Sequence, residues 1–218
     1  MTGVLLAAAM FLGSAASGGA DSGPVVQMQY SNPGLIPAQW TLVIHPDGSG
    51  HFTSERGGAP REKGGGLEPA NIDRDVQLTP QFAQSVFQVA RRKKLFQQPC
   101  DSQLKVAFQG MKTLTYSGPD GHGSCAFNYS KDVEIQGLGE SLVSVAATLI
   151  EGERLEMLMR HDPLGLDRET ATLVEMAEDR RAQQLGLIRP ILKRLAGNEE
   201  VLQRVRRRAT DLLSQSGD

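Results

Sequence analysis

The chain has 218 residues, of which 22% are charged and 39% are hydrophobic, and its formal net charge is −2. This composition excludes disorder over the whole length, because it supplies enough apolar side chains for one sizeable core or two small ones. The slight negative charge argues against a dedicated nucleic-acid-binding protein, which needs a basic excess to displace counterions from phosphate.

The N-terminus has the shape of a secretory signal peptide. Nine apolar residues run from Val4 to Leu12, and small residues suited to a cleavage site follow up to Ala20. No lysine or arginine precedes the run, so a mis-assigned start codon or a buried N-terminal segment are alternative interpretations. The run is also too short to cross a bilayer, which needs about 20 residues. We expect residues 1–20 to direct export to the periplasm or the cell exterior, and the mature protein to have no integral membrane span.

Residues 21–39 are polar and contain several prolines and glycines, which favours a loose lead-in to the fold. Regular structure is predicted from Trp40, where apolar and polar residues alternate as far as His45. Pro46-Asp47-Gly48 then provides turn residues, and Phe52 lies on the apolar side of a returning strand. The pattern predicts a β-hairpin.

Residues 55–75 combine glycines, prolines and charged residues, which predicts a mobile loop. Such a loop is either a partner-binding or protease-facing element or a tolerated surface insertion. A short strand is predicted at 76–78, followed by a helix in which Thr79 is the N-cap and Pro80 the first helical residue.

Alternating apolar residues predict three more strands, at 104–108, 114–116 and 125–129. Apolar residues at helical spacing then predict one long helix over 138–161. The order of elements is ββαβββα, so residues 40–137 are expected to form an α+β domain. Its antiparallel sheet has about five strands, with helices on one face.

Beyond the long connecting helix, residues 162–218 are predicted to form a helical bundle as the C-terminal tail. Asp162-Pro163-Leu164-Gly165 interrupts the helical pattern, because proline disfavours helical geometry in the residue before it. Gly186 and Gly197 end the next two helical patterns.

The chain contains two cysteines, Cys100 and Cys125. In an exported protein such a pair indicates one disulfide, which here would stabilise the fold by about 3 kcal/mol. Two buried free thiols are the alternative if the protein is not exported.

Two clusters of residues are weak candidates for chemistry. His45, His51 and His122 lie at predicted hairpin tips, where three imidazoles are able to hold a transition metal; exposed turn histidines are the simpler interpretation. Acidic and basic residues cluster around the end of the long helix, where paired carboxylates are able to divide acid and base roles. The cluster consists of Glu151, Glu153, Glu156, Arg160, His161, Asp162 and Asp167, and Glu153, Glu156, His161 and Asp162 are its candidate catalytic residues. The alternative is structural, because a helix stop and surface charges account for each of them.

The tail is polarised in charge, with acidic residues from Glu169 to Asp179 and basic residues from Lys193 to Arg208. Either the opposite charges orient neighbouring helices, or the basic face binds an anionic surface. The sequence contains no phosphate-binding loop, nucleophile elbow, zinc-protease motif or dinucleotide fingerprint, and we expect no cofactor.

The segments IEGERLEMLMRHDPLGLD and AEDRRAQQLGLIRPILKRLAGNEEVLQRVRRRATDLL resemble a group of uncharacterised exported bacterial proteins. This resemblance covers the C-terminal third most clearly, and it implies no catalytic residue. The order of the N-terminal strands and helices is also similar, in architecture alone, to small secreted protease-inhibitor modules of the emfourin type.

Three functions follow as hypotheses. The first is an exported, non-catalytic module, such as an inhibitor, that binds a protein in the envelope or outside the cell. The second is a hydrolase-type enzyme with a site in the cleft between the sheet domain and the tail, where Glu153 to Asp167 form one wall. The third is an adaptor that binds anionic surfaces through the basic tail. Nucleic acid is not an expected partner, and the sequence leaves the oligomeric state open.

Overall fold

The computed structural model describes residues 23–58, 68–69 and 71–216. The predicted signal peptide and the glycine-rich centre of the predicted loop lie outside this part of the chain. The strands are β1 (Val25–Ser31), β2 (Gln39–Ile44), β3 (Ser49–Glu55), β4 (Ile72–Gln77), β5 (Met111–Gly118) and β6 (Gly121–Phe127). The helices are α1 (Pro80–Arg92), α2 (Val133–His161), α3 (Leu166–Glu178), α4 (Arg189–Gly197) and α5 (Gln203–Gln215), with 3-10 turns at Lys94–Phe96, Pro163–Gly165 and Leu185–Ile188.

The strands form one antiparallel sheet in the order β4-β3-β2-β1-β5-β6, which confirms the predicted α+β class. The predicted hairpin is also confirmed, because β2 pairs with β3 in a register that places Leu42 opposite Phe52. Thr79 caps α1 as predicted, since its hydroxyl accepts a hydrogen bond from the backbone N–H of Phe82.

Three predictions about strands differ from the structure. Residues 25–31, expected within a loose lead-in, form β1 at the centre of the sheet. Residues 72–75, assigned to the predicted loop, belong to β4. Residues 104–108, predicted as a strand, contain no regular structure. The observed order is therefore ββββαββα.

Alternation places the two kinds of side chain on opposite faces of the sheet. Val26, Met28 and Leu42 point to the buried face, which is covered by α1 and the first half of α2. The opposite face carries polar residues such as Gln27, Thr41 and their neighbours, which are partly exposed. Helices on one face and water on the other explain the alternation in the sequence.

Helix α2 belongs to two hydrophobic cores. Its first half, including Leu142 and Leu149, packs on the sheet, and its second half, including Leu155 and Leu158, packs on α3, α4 and α5. Gly152 lies between them, and a Cβ atom there would approach Ile188 to 2.3 Å. The glycine therefore permits close contact between α2 and the tail.

Helix α2 is also the one described helix with the length and hydropathy of a membrane span, with a mean hydropathy of 1.3 over its most apolar window. Half of that window is buried inside the fold. Core helices of folded proteins pass the same test of length and composition, and the contacts of α2 account for its apolar side chains.

Candidate functional site

A disulfide lies at the start of the exposed connection between α1 and β5. Cys100 and Cys125 are joined, with their Cα atoms 5.6 Å apart, which confirms the predicted pairing. Cys125 lies on β6, and Cys100 follows the 3-10 turn after α1. The bond therefore attaches the start of the long connection between α1 and β5 to the edge strand of the sheet.

That connection and the first residue of β5 together expose four large apolar side chains within eight residues. The exposed fractions are 50% for Leu104, 43% for Val106, 57% for Phe108 and 40% for Met111. We refer to residues 104–111 as the apolar segment. Single exposed apolar residues are ordinary on a protein surface, but several of them close together in the chain are typical of an interaction site.

Side chains of the scaffold hold the backbone around the apolar segment. The Asp101 carboxylate accepts hydrogen bonds from the backbone N–H groups of Gln103, at 2.7 Å, and Asn128, at 3.0 Å. These two bonds lower the pKa of Asp101. The Asn128 amide in turn accepts from the backbone N–H of Gln109 at 2.8 Å and donates to the carbonyl of Ala107 at 3.0 Å. The segment is thus attached at both ends.

The C-terminal end of the segment is further held by Tyr30. Its hydroxyl donates to the backbone carbonyl of Gln109 at 2.8 Å. Gly110 has φ +102°, and a Cβ atom there would lie 2.3 Å from the Tyr30 ring. Only glycine combines this backbone conformation with such a close approach.

The structure does not bring the three candidate metal-binding histidines together. His51 is on β3 and His122 is on β6, so they are four strand spacings apart, about 19 Å at roughly 4.8 Å per spacing. His51 lies instead between Asp73 and Asp75, and its hydrogen bond to Asp75 raises its pKa. His45 follows β2 at the hairpin turn. Within the described residues there is no group of three or more potential ligands suited to a metal.

The candidate catalytic residues at the end of α2 occupy structural positions. Glu156 forms ion pairs with Arg160, at 2.6 Å, and Arg194, at 2.9 Å. Burial alone would raise the pKa of Glu156. The hydrogen bonds with these arginines have the larger combined effect, so the pKa is lowered overall. Asp162 ends the helix by donating its backbone N–H to Leu158.

The two other candidates at this helix end differ in exposure. Glu153 is half-buried on α2, and His161 is exposed at its last residue.

Ion pairs also connect the acidic and basic halves of the tail. Asp167 on α3 accepts hydrogen bonds from Arg204, at 2.7 Å, and Arg208, at 2.9 Å, both on α5. The two arginines hold the pKa of Asp167 at about 2. Together with the pair between Arg194 and Glu156, these contacts orient α4 and α5 against α2 and α3.

A buried acidic pair lies one turn before the predicted candidates. Glu151 on α2 and Glu169 on α3 are both buried, and one Arg154 nitrogen lies 3.4 Å and 3.1 Å from their carboxylates. Burial first, and then a hydrogen bond with Glu169, raises the pKa of Glu151 to about 8. Burial acts to raise the pKa of Glu169 as well, but its hydrogen bonds with Glu151 and Arg154 lower it overall. The pKa of Glu151 is therefore above neutral pH and that of Glu169 is below its usual value, so Glu151 is the member of the pair that keeps a proton at neutral pH.

Sequence reasoning placed Glu151 in the cluster at the end of the long helix but did not pair it with Glu169, because the two residues belong to different predicted helices. A signal was present, since Glu151 is four residues before Leu155 and so shares a helical face with an apolar residue.

A cleft of about 530 Å³ does lie between the sheet and the tail, but its walls differ from the predicted ones. It is bordered by the sheet end, by the first half of α2 and by the turn after α3, with Lys112, Glu140 and Arg180 among its lining residues. Burial lowers the pKa of Lys112, partly offset by the nearby Glu140 carboxylate.

No family model matches this chain, and no curated protein matches it.

Proposed function

We propose that this protein is an exported, non-catalytic binding module that contacts a protein partner through the apolar segment. The observation that carries the proposal is the exposure of Leu104, Val106, Phe108 and Met111, between 40% and 57%, on a backbone held by the disulfide and Asn128.

Exposed side chains of this size contribute little to folding, because their apolar surface stays in water. A partner that covers them gains that hydrophobic free energy, and aromatic residues and methionine are enriched at protein interfaces. The hydrogen bonds from Asp101 and Asn128 order the backbone before binding, which lowers the entropy lost on association. A rigid, exposed segment of this kind also suits an inhibitor that occupies a partner's groove.

An exported protein meets its partners in the envelope or outside the cell, and three features support export of this chain. The disulfide between Cys100 and Cys125 is consistent with an oxidising compartment. The signal-like N-terminus and the resemblance of the C-terminal third to exported bacterial proteins point to the same location.

The alternative functions have less support. The carboxylate of Glu156 is engaged by arginines, and Asp162 ends α2 beside a cavity of about 90 Å³. This is smaller than a substrate pocket, so the hydrolase hypothesis has less support at these residues. Arg204 and Arg208 of the basic tail are engaged by Asp167, which reduces the charge available to an anionic surface.

The test is affinity capture from the native envelope fraction with the mature chain, followed by affinity measurement with each purified captured protein. We expect the combined change Leu104→Ser, Val106→Ser and Phe108→Ser to lower the affinity for a direct partner by roughly 30-fold or more. In the proposal these side chains form the centre of the contact.

The matched control is the combined change Leu164→Ser and Leu202→Ser, which removes exposed apolar side chains, 82% and 44% exposed, from the tail. Equal capture by the segment variant and the control would contradict the proposal. Sedimentation analysis of the mature chain shows whether the segment instead binds a second copy of the chain, which would contradict a different protein as the partner.

A further inference from the structure

The cleft between the sheet and the tail has a second set of features that the apolar segment does not use. We call it the sheet–tail cleft and define it by the residues that border it: Tyr30, Gln109, Lys112, Gly137, Glu140, Ser141, Val143, Ser144, Asp179, Arg180, Arg181 and Gln183. Its volume of about 530 Å³ is within the range of small-molecule and peptide pockets.

Small residues of α2 leave the cleft open. A Cβ atom on Gly137 would meet no atom within 4 Å, whereas one on Gly139 would press on Phe127 and Lys112. Lys112 is fixed in the floor, since its ammonium group donates to the Asn128 carbonyl at 2.8 Å and lies 5.4 Å from the centre of the Phe127 ring. The opposite wall is attached to α2, because Thr148 donates to the carbonyl of Gln183 at 2.7 Å. Both walls are therefore rigid.

Arg180 and Glu140 are opposite charges that border the cleft. No described residue lies within ion-pair distance of either, although the Glu140 carboxylate acts electrostatically on Lys112 in the floor. Arg181 is paired with Asp179 at 3.1 Å, whereas no described residue forms an ion pair with Arg180. Glu140 accepts a hydrogen bond from the Gln136 amide at 2.7 Å, and no described cation forms an ion pair with it. Arg180 and Glu140 border the same cleft, and neither a hydrogen bond nor an ion pair joins them.

Arg180 occupies a backbone position that favours glycine. It has φ +59° at the end of α3, where the N–H groups of the next two residues donate to the Met176 carbonyl. Helices commonly end with glycine in this left-handed conformation, because a side chain there is sterically disfavoured. An exposed arginine at such a position, at the border of a cleft and without an ion pair to the described chain, is the pattern of a residue kept for binding.

We infer that the sheet–tail cleft binds a short peptide through its two free termini, with the α-carboxylate on Arg180 and the α-ammonium on Glu140. A carboxylate suits the planar guanidinium, which donates two parallel hydrogen bonds. The hydroxyl of Ser141 and the side-chain amide of Gln183 offer partners to the peptide backbone between the termini. The inference does not depend on the apolar segment.

The test is calorimetric titration of the full mature chain with pooled tripeptides that have free termini, in parallel with N-acetylated and C-amidated forms of the same pool. We expect saturable binding of the free pool. Each capped pool, and each of the variants Arg180→Gln and Glu140→Gln, should bind about tenfold or more weakly, because each removes one charged contact.

Arg207→Gln is the matched control, because Arg207 is an exposed arginine on α5 outside the cleft. Absence of saturable binding by the free pool, or equal binding by the capped pools, would overturn the inference. Loss of binding in the Arg207 variant would do the same.

Arg180→Gly separates loss of binding from loss of folding. It removes the cation and relieves the left-handed backbone, so we expect the melting temperature to rise by about 2–4 °C while peptide binding is lost. Retained affinity in this variant would contradict the role of Arg180. The same tripeptides fused to the C-terminus of a carrier protein distinguish a protein tail from a free peptide: the fusion lacks the nearby ammonium and should bind about tenfold more weakly than the free form.

Discussion

At the scale of single residues, burial decides which charged groups have unusual properties. Asp167 and Glu156 lie among arginines, which lower their pKa values and stabilise their charged forms. A single Arg154 nitrogen lies near both Glu151 and Glu169, and burial raises the pKa of Glu151 to about 8.

The raised pKa of Glu151 predicts that the stability of the protein depends on pH. The pKa in the folded state is about 8, above the usual value of 4.5, so the folded protein holds a proton that the unfolded chain releases between these values. The favourable contribution is complete below about pH 4.5 and is lost as the pH rises to about 8. Glu151→Gln keeps a hydrogen-bond donor without the titration. We expect it to raise the free energy of unfolding at pH 8 by on the order of 1–3 kcal/mol.

Urea unfolding at pH 5 and at pH 8.5 measures the effect. The gain from Glu151→Gln should be small at pH 5 and larger at pH 8.5. Glu153→Gln, at a half-buried position of the same helix, is the matched control. A stability change in Glu151→Gln that is equal at both pH values would rule out the buried proton.

At the scale of elements, α2 connects the two cores, and Gly152 sets how closely it approaches the tail. Its neighbour Ile188 ends the 3-10 turn that leads into α4, and Ile191 on α4 also lies within contact distance of the glycine. The length and amphipathic pattern of α2 were readable in the sequence, but the reason for a glycine inside it was not. That reason is the position of a side chain 36 residues further along the chain.

Gly152→Ala and Gly137→Ala form a matched pair on this helix. Alanine favours a helix over glycine by about 1 kcal/mol, so Gly137→Ala, where the new methyl group meets no atom, should be stabilising. Gly152→Ala places its methyl group against Ile188 and should lower the free energy of unfolding by about 1–3 kcal/mol. Urea unfolding checks both, and a stabilised Gly152 variant would mean that the helix and the tail separate easily.

At the scale of the whole molecule, the disulfide connects the edge of the sheet to the connection that follows α1. It joins residues 25 positions apart, so its loss should lower the free energy of unfolding by about 3 kcal/mol. It also fixes one end of the apolar segment. Cys100→Ser with Cys125→Ser should therefore reduce both stability and partner affinity.

Denaturant unfolding with and without a reducing agent tests this prediction. The native chain should lose stability on reduction, and the double serine variant should not respond to the reductant. An unchanged midpoint for the reduced native chain would show that packing alone holds this region.

The sequence by itself determined the elements whose signals are local. The alternation over 40–54 predicts the hairpin, the capped pattern from Thr79 predicts α1, and two cysteines in an export context predict one disulfide. The class of fold followed from the order of these elements.

Tertiary structure alone decided which alternating segments became strands. Residues 25–31 and 104–108 both alternate, but a strand also needs a neighbouring backbone with free N–H and C=O groups. The first segment lies between β2 and β5 and forms β1. The second is bonded to the Asn128 side chain and keeps its apolar residues in water.

The sites depend on the tertiary structure for the same reason. Glu140 and Arg180 border one cleft, and Glu151 and Glu169 share one arginine, because folding brings distant helices together. Periodicity reports which face of an element is apolar, but it carries no information about which charged groups from other elements will lie opposite. Those distances, and the burial that sets the pKa values, arise only when the two cores pack on α2.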